Sequence, residues 1–488
     1  MPMVQLKKTP LPALDPIQRR LGFQEVSLGY SPTQALAEAQ RCLLCQEPNC
    51  EAGCPVGVPI RDFIKLIAEG KPLEAVRAIK QVNSLPAICG RVCPQEHQCE
   101  LKCVIKGKQE PVAIGALERF VADYELAHQG AQTSVNGYHR NLVNSLPGKP
   151  TAKVAVVGSG PASLTAAGDL ARTGYHVTLF EALHVPGGVL MYGIPEFRLP
   201  KSIVAAEINK LREQGVEIQC NTVIGRTITI DQLMHEMGFG AVFIGSGAGS
   251  PKFMGIPGEN LKGVYSANEF LTRINLMKAN RFPEFDTPVK KGQRVVVVGA
   301  GDTAMDVVRT AIRVGAREAY IVYRRTEKEM TARIEDYHHA AEEGALFQWL
   351  TNPVRLVGSD DGWVRGMECI RMELGSPDES GRRRPLPVAG SEFLMEVDTV
   401  VMALGTNPNP TVSQSTQDLV SDRYGHIKAD PATGATSKPG VFAGGDVVTG
   451  SATVILAAGA GKRSAQAIHQ YLNERRKAPT AGAPAVGC

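Results

Sequence analysis

KVAVVGSGPASLTAAGDLARTGYHVTLFEA, residues 153–182, changes character three times. An apolar run gives way to glycines at 158 and 160, then to a helix with one apolar face, then to a second apolar run ending in Glu181. A strand apolar on both faces, a glycine turn, a helix and a parallel strand make the β–α–β unit of a doubly wound Rossmann sheet. The layout recurs in RVVVVGAGDTAMDVVRTAIRVGAREAYIVYRR, residues 294–325. A further strand, DTVVMALG (398–405), precedes GVFAGGDVVTGSATVILAAGAG (440–461). The pattern predicts an α/β chain with two dinucleotide-binding domains, the second inserted in the first.

The first glycine turn predicts an FAD site. Gly158 and Gly160 permit a tight turn and let backbone N–H groups approach a pyrophosphate, and the helix that opens at Pro161 and Ala162 adds a favourable field for the anion. The third fingerprint position is Ser163, where Gly or Ala is usual. Glu181, 23 residues after Gly158, suits ribose hydroxyls. Gly188 of PGG, Arg198, and Gly445 and Asp446 of AGGD complete the expected cradle. Asp446 is expected on the ribityl–phosphate side, and a helix opening at Thr453 and Val454 is expected to aim its positive end at the isoalloxazine.

The second turn predicts NADP(H). Its fingerprint is Gly299, Gly301, Asp302, Thr303 and Ala304, with Gly405 after the later strand. Its second strand ends in Arg324 and Arg325 rather than in a carboxylate. Arginines there suit a 2′-phosphate that a carboxylate would repel.

Upstream lies a different chemistry. Eight of eleven cysteines fall between residues 42 and 103: Cys42, Cys45, Cys50, Cys54, Cys89, Cys93, Cys99 and Cys103. Thiolates at such short spacings can hold iron–sulfur clusters or structural zinc, and spacing alone leaves both open. Both Cys54 and Cys93 precede proline, as the last cysteine of bacterial ferredoxin runs does. Cys220, Cys369 and Cys488 are scattered and read as buried or incidental thiols. Before residue 150 the periodicity is helical, over 32–45 (Ser31 as N-cap), twice within 58–82 and over 112–128, and no alternating strand pattern occurs.

The bounds agree with a redox enzyme. A length of 488 residues accommodates about three domains. A formal charge of +4 gives no basis for nucleic-acid binding, and no apolar run reaches the ~18 residues of a membrane span. The N-terminus lacks a signal-peptide core. A cytoplasmic location is expected, where clustered cysteines serve metals or redox chemistry rather than disulfides.

Long motifs then carry a resemblance. RCLLCQEPNCEAGCPV, GRVCPQEHQCELKC, GGVLMYGIPEFRLPK, YSANEFLTRINLMKA, YRRTEKEMTAR and SPDESGRRRP lie between residues 41 and 385, within a resemblance that runs from about residue 15 to 473. The chain resembles the small (beta) subunit of NADPH-dependent glutamate synthase. It resembles still more the large subunit of the NADH-dependent reduced ferredoxin:NADP oxidoreductase, the electron-bifurcating transhydrogenase also known as sulfide dehydrogenase alpha. The same modules occur in the N-terminal part of dihydropyrimidine dehydrogenase. The resemblance implies two 4Fe–4S clusters. Cys42, Cys45, Cys50 and Cys103 would hold one; Cys54, Cys93, Cys99 and Glu118, from AIGALERF, would hold the other. Read as a residue alone, Glu118 is an ordinary helix-surface glutamate. Cys89 has no ligand role in the family pattern.

The organisation expected is therefore a helical iron–sulfur domain over 1–145 and an FAD domain over 146–275 and 399–475. An NADP(H) domain is expected over 276–398 and a disordered tail over 476–488. No residue needs to act as acid, base or nucleophile, since hydride passes between nicotinamide and flavin. The expected partner is a second redox subunit: a glutamate synthase large subunit, or a small flavoprotein of the ferredoxin–NADP reductase type, with ferredoxin as a further acceptor. No glutamine amidotransferase segment is visible. Two rivals remain, a disulfide reductase and a zinc-stabilised nucleotide-binding scaffold. The first needs a cysteine pair facing the flavin, and no C-x-x-C lies beyond residue 103. Adjacent His338 and His339 point in different directions on a helix and make a poor metal pair. Arg382, Arg383 and Arg384 read as a solvated loop, and Met330 as packing beside the NADP site.

Overall fold

The computed structural model describes residues 7–128, 152–290, 292–379 and 381–477. Helices Pro32–Ala39, Ile60–Ala68, Pro72–Lys80, Pro86–Val92 and Ile114–His128 build the N-terminal domain, and the first strand among the described residues is Lys153–Val157. Ser31 does cap the first of these helices, in a capping box with Gln34. That helix ends at Ala39, short of Cys42 and Cys45, which sit in an irregular loop where Leu44 turns left-handed at φ 49°. The helices bury Phe63, Ile64, Ile79, Ile88 and Leu117 against one another. Residues 7–30 form an arm that is irregular except for a short helix, Pro16–Arg20. Most of the linker expected over 128–150 lies outside the described residues.

Two parallel five-stranded sheets follow. The first runs in the order Val441–Ala443, Phe239–Ile244, Lys153–Val157, His176–Phe180, Glu217–Gln219. The order reverses at Lys153–Val157, so a crevice opens at its carboxyl end, the usual ligand position of a doubly wound sheet. The second sheet runs Val264–Ser266, Thr399–Met402, Arg294–Val298, Glu318–Val322, Leu346–Gln348. An antiparallel meander, Thr351–Gly358 to Phe393–Glu396, is set between its last two strands in sequence.

Strand pairing moves two expected boundaries. Val264–Ser266 and Thr399–Met402 pair with each other, and Thr399–Met402 pairs with Arg294–Val298. Both were expected in the FAD half, yet their hydrogen bonds place them in the second sheet. The C-terminal boundary shifts as well. The helix Val454–Lys477 continues through Arg475, Arg476 and Lys477, whose positive charges suit a helix C-terminus. Residues 476 and 477 are thus helical rather than tail, and 478–488 lie outside the described residues.

Candidate functional site

Four separated motifs meet at the carboxyl edge of the first sheet. Gly158 has φ +88°, and a Cβ there would lie 2.7 Å from Gly245 O. Gly188 has φ +54°, and its Cβ would lie 2.9 Å from Gly160 Cα. The fingerprint turn and the PGG loop therefore touch backbone to backbone, which only glycine allows. Ser159 Oγ ties them: it donates to Glu181 and accepts Gly187 N at 2.8 Å. Glu181 also accepts Leu183 N at 2.8 Å.

The helix Pro161–Thr173 begins with Pro161 and has no side-chain cap at Gly160, beside which space is open. Its free N–H groups and that space fit a pyrophosphate. Ala162 packs under Gly445 and Gly461; a Cβ on Gly461 would lie 2.1 Å from Ala162 O. Ser163 is fully buried, its hydroxyl 3.3 Å from both Val157 O and Gly245 O, so the unusual third residue is satisfied. Burial pushes the Asp446 carboxyl up to about 6, opposed only by the Ala452 N–H. Thr453 Oγ1 accepts Leu456 N at 3.3 Å at the start of the helix Val454–Lys477.

The second turn repeats the geometry. Gly299 has φ +129°, and its Cβ would lie 2.4 Å from Ala403 O. Gly301 caps the helix Asp302–Arg313 without a side-chain bond, and Gly405 (φ +87°) borders open space. Thr303 is exposed at the helix start. Asp302 turns its carboxylate to Arg333 N, at 2.8 Å. The two arginines part company. Arg324 is exposed, whereas Arg325 is buried and bonded to Asp378 and to Arg383 O, each at 2.8 Å. Arg325 braces the meander, so Arg324 is the one left to meet a phosphate.

The cysteines fall into two sets. Burial raises the thiol of Cys42, with Cys103 and Cys45 adding to it; burial pushes Cys50 up to about 12, with Cys103 and Cys42 adding. Burial also raises Cys54 and Cys99, and both feel Glu118; a hydrogen bond to Cys89, then burial, raises Cys93. Cys42, Cys45, Cys50 and Cys103 form an outer, half-buried set. Cys54, Cys93 and Cys99 line one cavity with Glu118 and Cys89. Glu118 is 8% exposed, which overturns its reading as a surface residue. Burial pushes its carboxyl up to about 8, eased only by Asn83. Crowded thiols and a lone buried carboxyl are a donor set that a cationic cluster would stabilise. Among the described residues no three His, Cys, Asp or Glu side chains could hold a single metal ion.

The two domain types also match known families. Residues 19–130 match the family described as dihydropyrimidine dehydrogenase domain II, 4Fe-4S cluster, and residues 152–463 match pyridine nucleotide-disulphide oxidoreductase. The chain is 37% identical over 460 residues to the glutamate synthase (NADPH) small chain of Escherichia coli, covering 93% of this chain and 95% of that one. It belongs to the glutamate synthase small-chain family. It is an NADPH-dependent flavin and iron–sulfur oxidoreductase of that family. The NADP(+)-dependent formate dehydrogenase subunit beta of Moorella thermoacetica is 41% identical over 447 residues, 88% of this chain, and this chain spans 61% of that relative's length. Among solved structures, Mycobacterium tuberculosis FprA in complex with NADPH superposes with TM-score 0.58 at 20% identity, over 67% of this chain and 86% of that one, a likeness of fold.

Within this small-chain fold one expected flavin residue also ties the two nucleotide units together. Arg198 Nη2 bonds Asp306 at 2.6 Å and Nη1 bonds Asp336 at 3.2 Å, both in the second nucleotide unit. Its Nε is buried with no hydrogen-bond partner among the described residues. Other residues escaped the motif reading. Tyr192 feels Glu181 and Asp446, and burial pushes its hydroxyl up to about 12. Gln98 reaches Thr453 Oγ1 at 3.5 Å. Asn83 bonds Glu118. Tyr192 and Gln98 stand inside quoted motifs, GGVLMYGIPEFRLPK and GRVCPQEHQCELKC, but their partners lie far off in sequence and only the fold reveals them. His339 is half-buried, Met330 packs against the core of the second unit, and Arg383 bonds Gly375 O at 3.2 Å. Cys220 and Cys369 lie in different units, the first beyond the strand Glu217–Gln219 and the second inside the meander, so no redox pair forms. No helix among the described residues is long and apolar enough to cross a membrane.

Proposed function

We propose that the chain carries electrons in one line between NADPH and a partner subunit. The bound groups would supply the chemistry: hydride exchange between nicotinamide and FAD, and single-electron exchange at two 4Fe–4S clusters. Gly158, Gly160 and Glu181 would hold the FAD pyrophosphate and ribose. Gly299, Gly301 and Arg324 would hold NADPH. Cys54, Cys93, Cys99 and Glu118 would hold an inner cluster, and Cys42, Cys45, Cys50 and Cys103 an outer one.

The carrying observation is the position of the inner set. Its cavity is also lined by Ile455, one residue into the helix that opens at the flavin cradle, and Gln98 bridges the Cys93–Cys99 loop to Thr453. Electrons leaving the flavin therefore meet the inner set first. The outer set lies among Leu43, Leu44, Leu101 and Val104, which are 61%, 42%, 42% and 48% exposed. An apolar rim of this kind supports subunit docking, as do relatives named as a small chain and a beta subunit.

The partner we propose is a glutamate synthase large subunit. The transhydrogenase resemblance supports a second reading, in which a small flavoprotein docks and the FAD bifurcates. Anaerobic tagged purification from the native host tests both. A large amidotransferase subunit should copurify. A small flavoprotein of the ferredoxin–NADP reductase type would replace this reading with the second, and recovery of the brown protein alone would remove both partners. Within the chain, Cys50→Ala should leave NADPH-dependent flavin reduction intact and abolish electron delivery to the partner. Undiminished delivery would refute the electron line.

A further inference from the structure

The inner site holds one donor more than a cluster needs. Four cysteines and one carboxylate line the cavity: Cys54, Cys89, Cys93, Cys99 and Glu118. A cube of four irons takes four ligands, so something must choose between the Glu118 oxygen and the Cys89 sulfur.

Asn83 touches both. It is 2% exposed, in the turn that leads into the helix Pro86–Val92. Its Oδ1 accepts Leu85 N at 3.0 Å, which fixes the amide orientation, because only the oxygen can face a backbone N–H. Its Nδ2 must then point the other way, and it donates to Glu118 Oε1 at 2.9 Å. This is the one hydrogen bond to that carboxylate among the described residues. Cys89 Sγ lies 3.8 Å from the same Oδ1, within reach of an S–H donor.

We propose that Asn83 is the positioning residue that selects the fourth ligand of the inner cluster. Its amide N–H holds one oxygen of Glu118 and leaves the other for iron. Its carbonyl oxygen holds the Cys89 proton in place and keeps that sulfur out of the ligand set. This deepens the electron-transfer reading and rests on Glu118 being the fourth donor. Partners of this kind orient metal ligands and tune the centre they hold. Losing an N–H donor to a ligand disfavours the reduced, more negative cluster.

The test uses the full chain purified anaerobically, with iron and sulfide analysis, electron paramagnetic resonance and redox titration. Asn83→Asp keeps an oxygen for Leu85 N–H and removes the donor to Glu118. At fixed potential the inner cluster's reduced-to-oxidised ratio should fall about tenfold, a 59 mV shift for a one-electron couple, while the outer cluster stays put. Should Asn83→Asp not fold, Asn83→Ser, which can still cap Leu85 N–H, should give the same shift. Cys89→Ala should leave the inner spectrum unchanged, and Glu118→Ala should alter it. Asn83→Asp should add no shift in the Glu118→Ala background.

The outcomes separate the two ideas. An unchanged spectrum in Glu118→Ala would sink the ligand assignment itself. An altered Glu118→Ala spectrum with an inert Asn83→Asp would overturn the role of Asn83 alone. Loss of the inner signal in Cys89→Ala would make sulfur the ligand and overturn the selection.

Discussion

Replacing Gly90 by alanine should empty the inner cluster site while the fold survives. Gly90 lies where the helix Pro86–Val92 crosses Ile114–His128. A Cβ there would sit 2.6 Å from Arg119 N and 2.8 Å from Arg119 Cα. Ordinary contact begins at 3.4 Å, so the deficit against the nitrogen is 3.4 − 2.6, or 0.8 Å. Both sides are helix backbone and no rotamer change relieves the overlap, so the helices must part. Overpacking of this kind costs about 1–3 kcal/mol. Alanine returns up to about 1 kcal/mol of helix propensity relative to glycine, and the net loss of about 0–2 kcal/mol leaves the domain folded. The donor set is less forgiving. Cys89 and Gly90 are adjacent on one helix, Glu118 and Arg119 on the other, and Cys93 follows the first helix directly. Iron should fall from about eight to about four atoms per chain, with the outer spectrum and NADPH-dependent flavin reduction retained. Iron and sulfide analysis with electron paramagnetic resonance reads this out. Full iron content with an unchanged inner spectrum would refute the reasoning, as would equal loss of both clusters.

Arg324→Ala should raise KM for NADPH by about 10–100-fold, the loss of a charge-assisted bond, and leave KM for NADH unchanged; steady-state kinetics with both nucleotides decides it. Arg325→Ala should instead lower the melting temperature, because it removes the ion pair to Asp378 and frees the meander. Arg198→Ala leaves Asp306 and Asp336 buried together and should cost about 3–5 kcal/mol in urea unfolding, with the flavin-to-protein ratio of the folded fraction unchanged. Burial would raise Glu343, but Arg313 and Arg309 outweigh it and hold its carboxyl down to about 2. Its folded value lies below the ordinary one, so its contribution is full above about pH 4.5 and is lost as pH falls toward 2. Some 3 kcal/mol should disappear over that window, and Glu343→Gln should flatten that part of the stability profile.

The nucleotide sites were legible because glycine turns are forced by local geometry. Gly158, Gly188 and Gly299 stand at positive φ against neighbouring backbone, and no other residue would serve. The cysteine spacings were legible for a similar reason, since short loops bring thiols together whatever the rest of the chain does. What was hidden depends on partners distant in sequence. Arg198 sits in the GGVLMYGIPEFRLPK motif beside the flavin residues, yet its guanidinium turns to Asp306, 108 residues away. Arg325 was expected beside Arg324 on a phosphate, yet Asp378 and Arg383 of the meander hold its guanidinium. Glu118 stands on the buried stripe of Ile114, Leu117 and Val121, but its role depends on cysteines distant in sequence. Val264–Ser266 is three residues long, too short for a period to show, and only its pairing assigns it to the second sheet.

The same distant partners explain how three redox sites keep one geometry. Apolar burial holds domains together without fixing their relative orientation, because it has no direction. Directional bonds do that here. Asp302, first residue of the NADP fingerprint helix, accepts Arg333 N at 2.8 Å. Arg333 Nη1 donates to Arg91 O at 2.9 Å, and Ile334 N donates to Glu96 Oε1 at 3.1 Å, inside the Cys93–Cys99 loop. Arg198 carries the frame from Asp306 and Asp336 to the segment after the PGG turn. Apolar residues of equal volume could supply comparable stability at such a junction. They could not hold the second glycine turn, the PGG segment and a cysteine loop in register, and the serial electron path proposed above depends on that register.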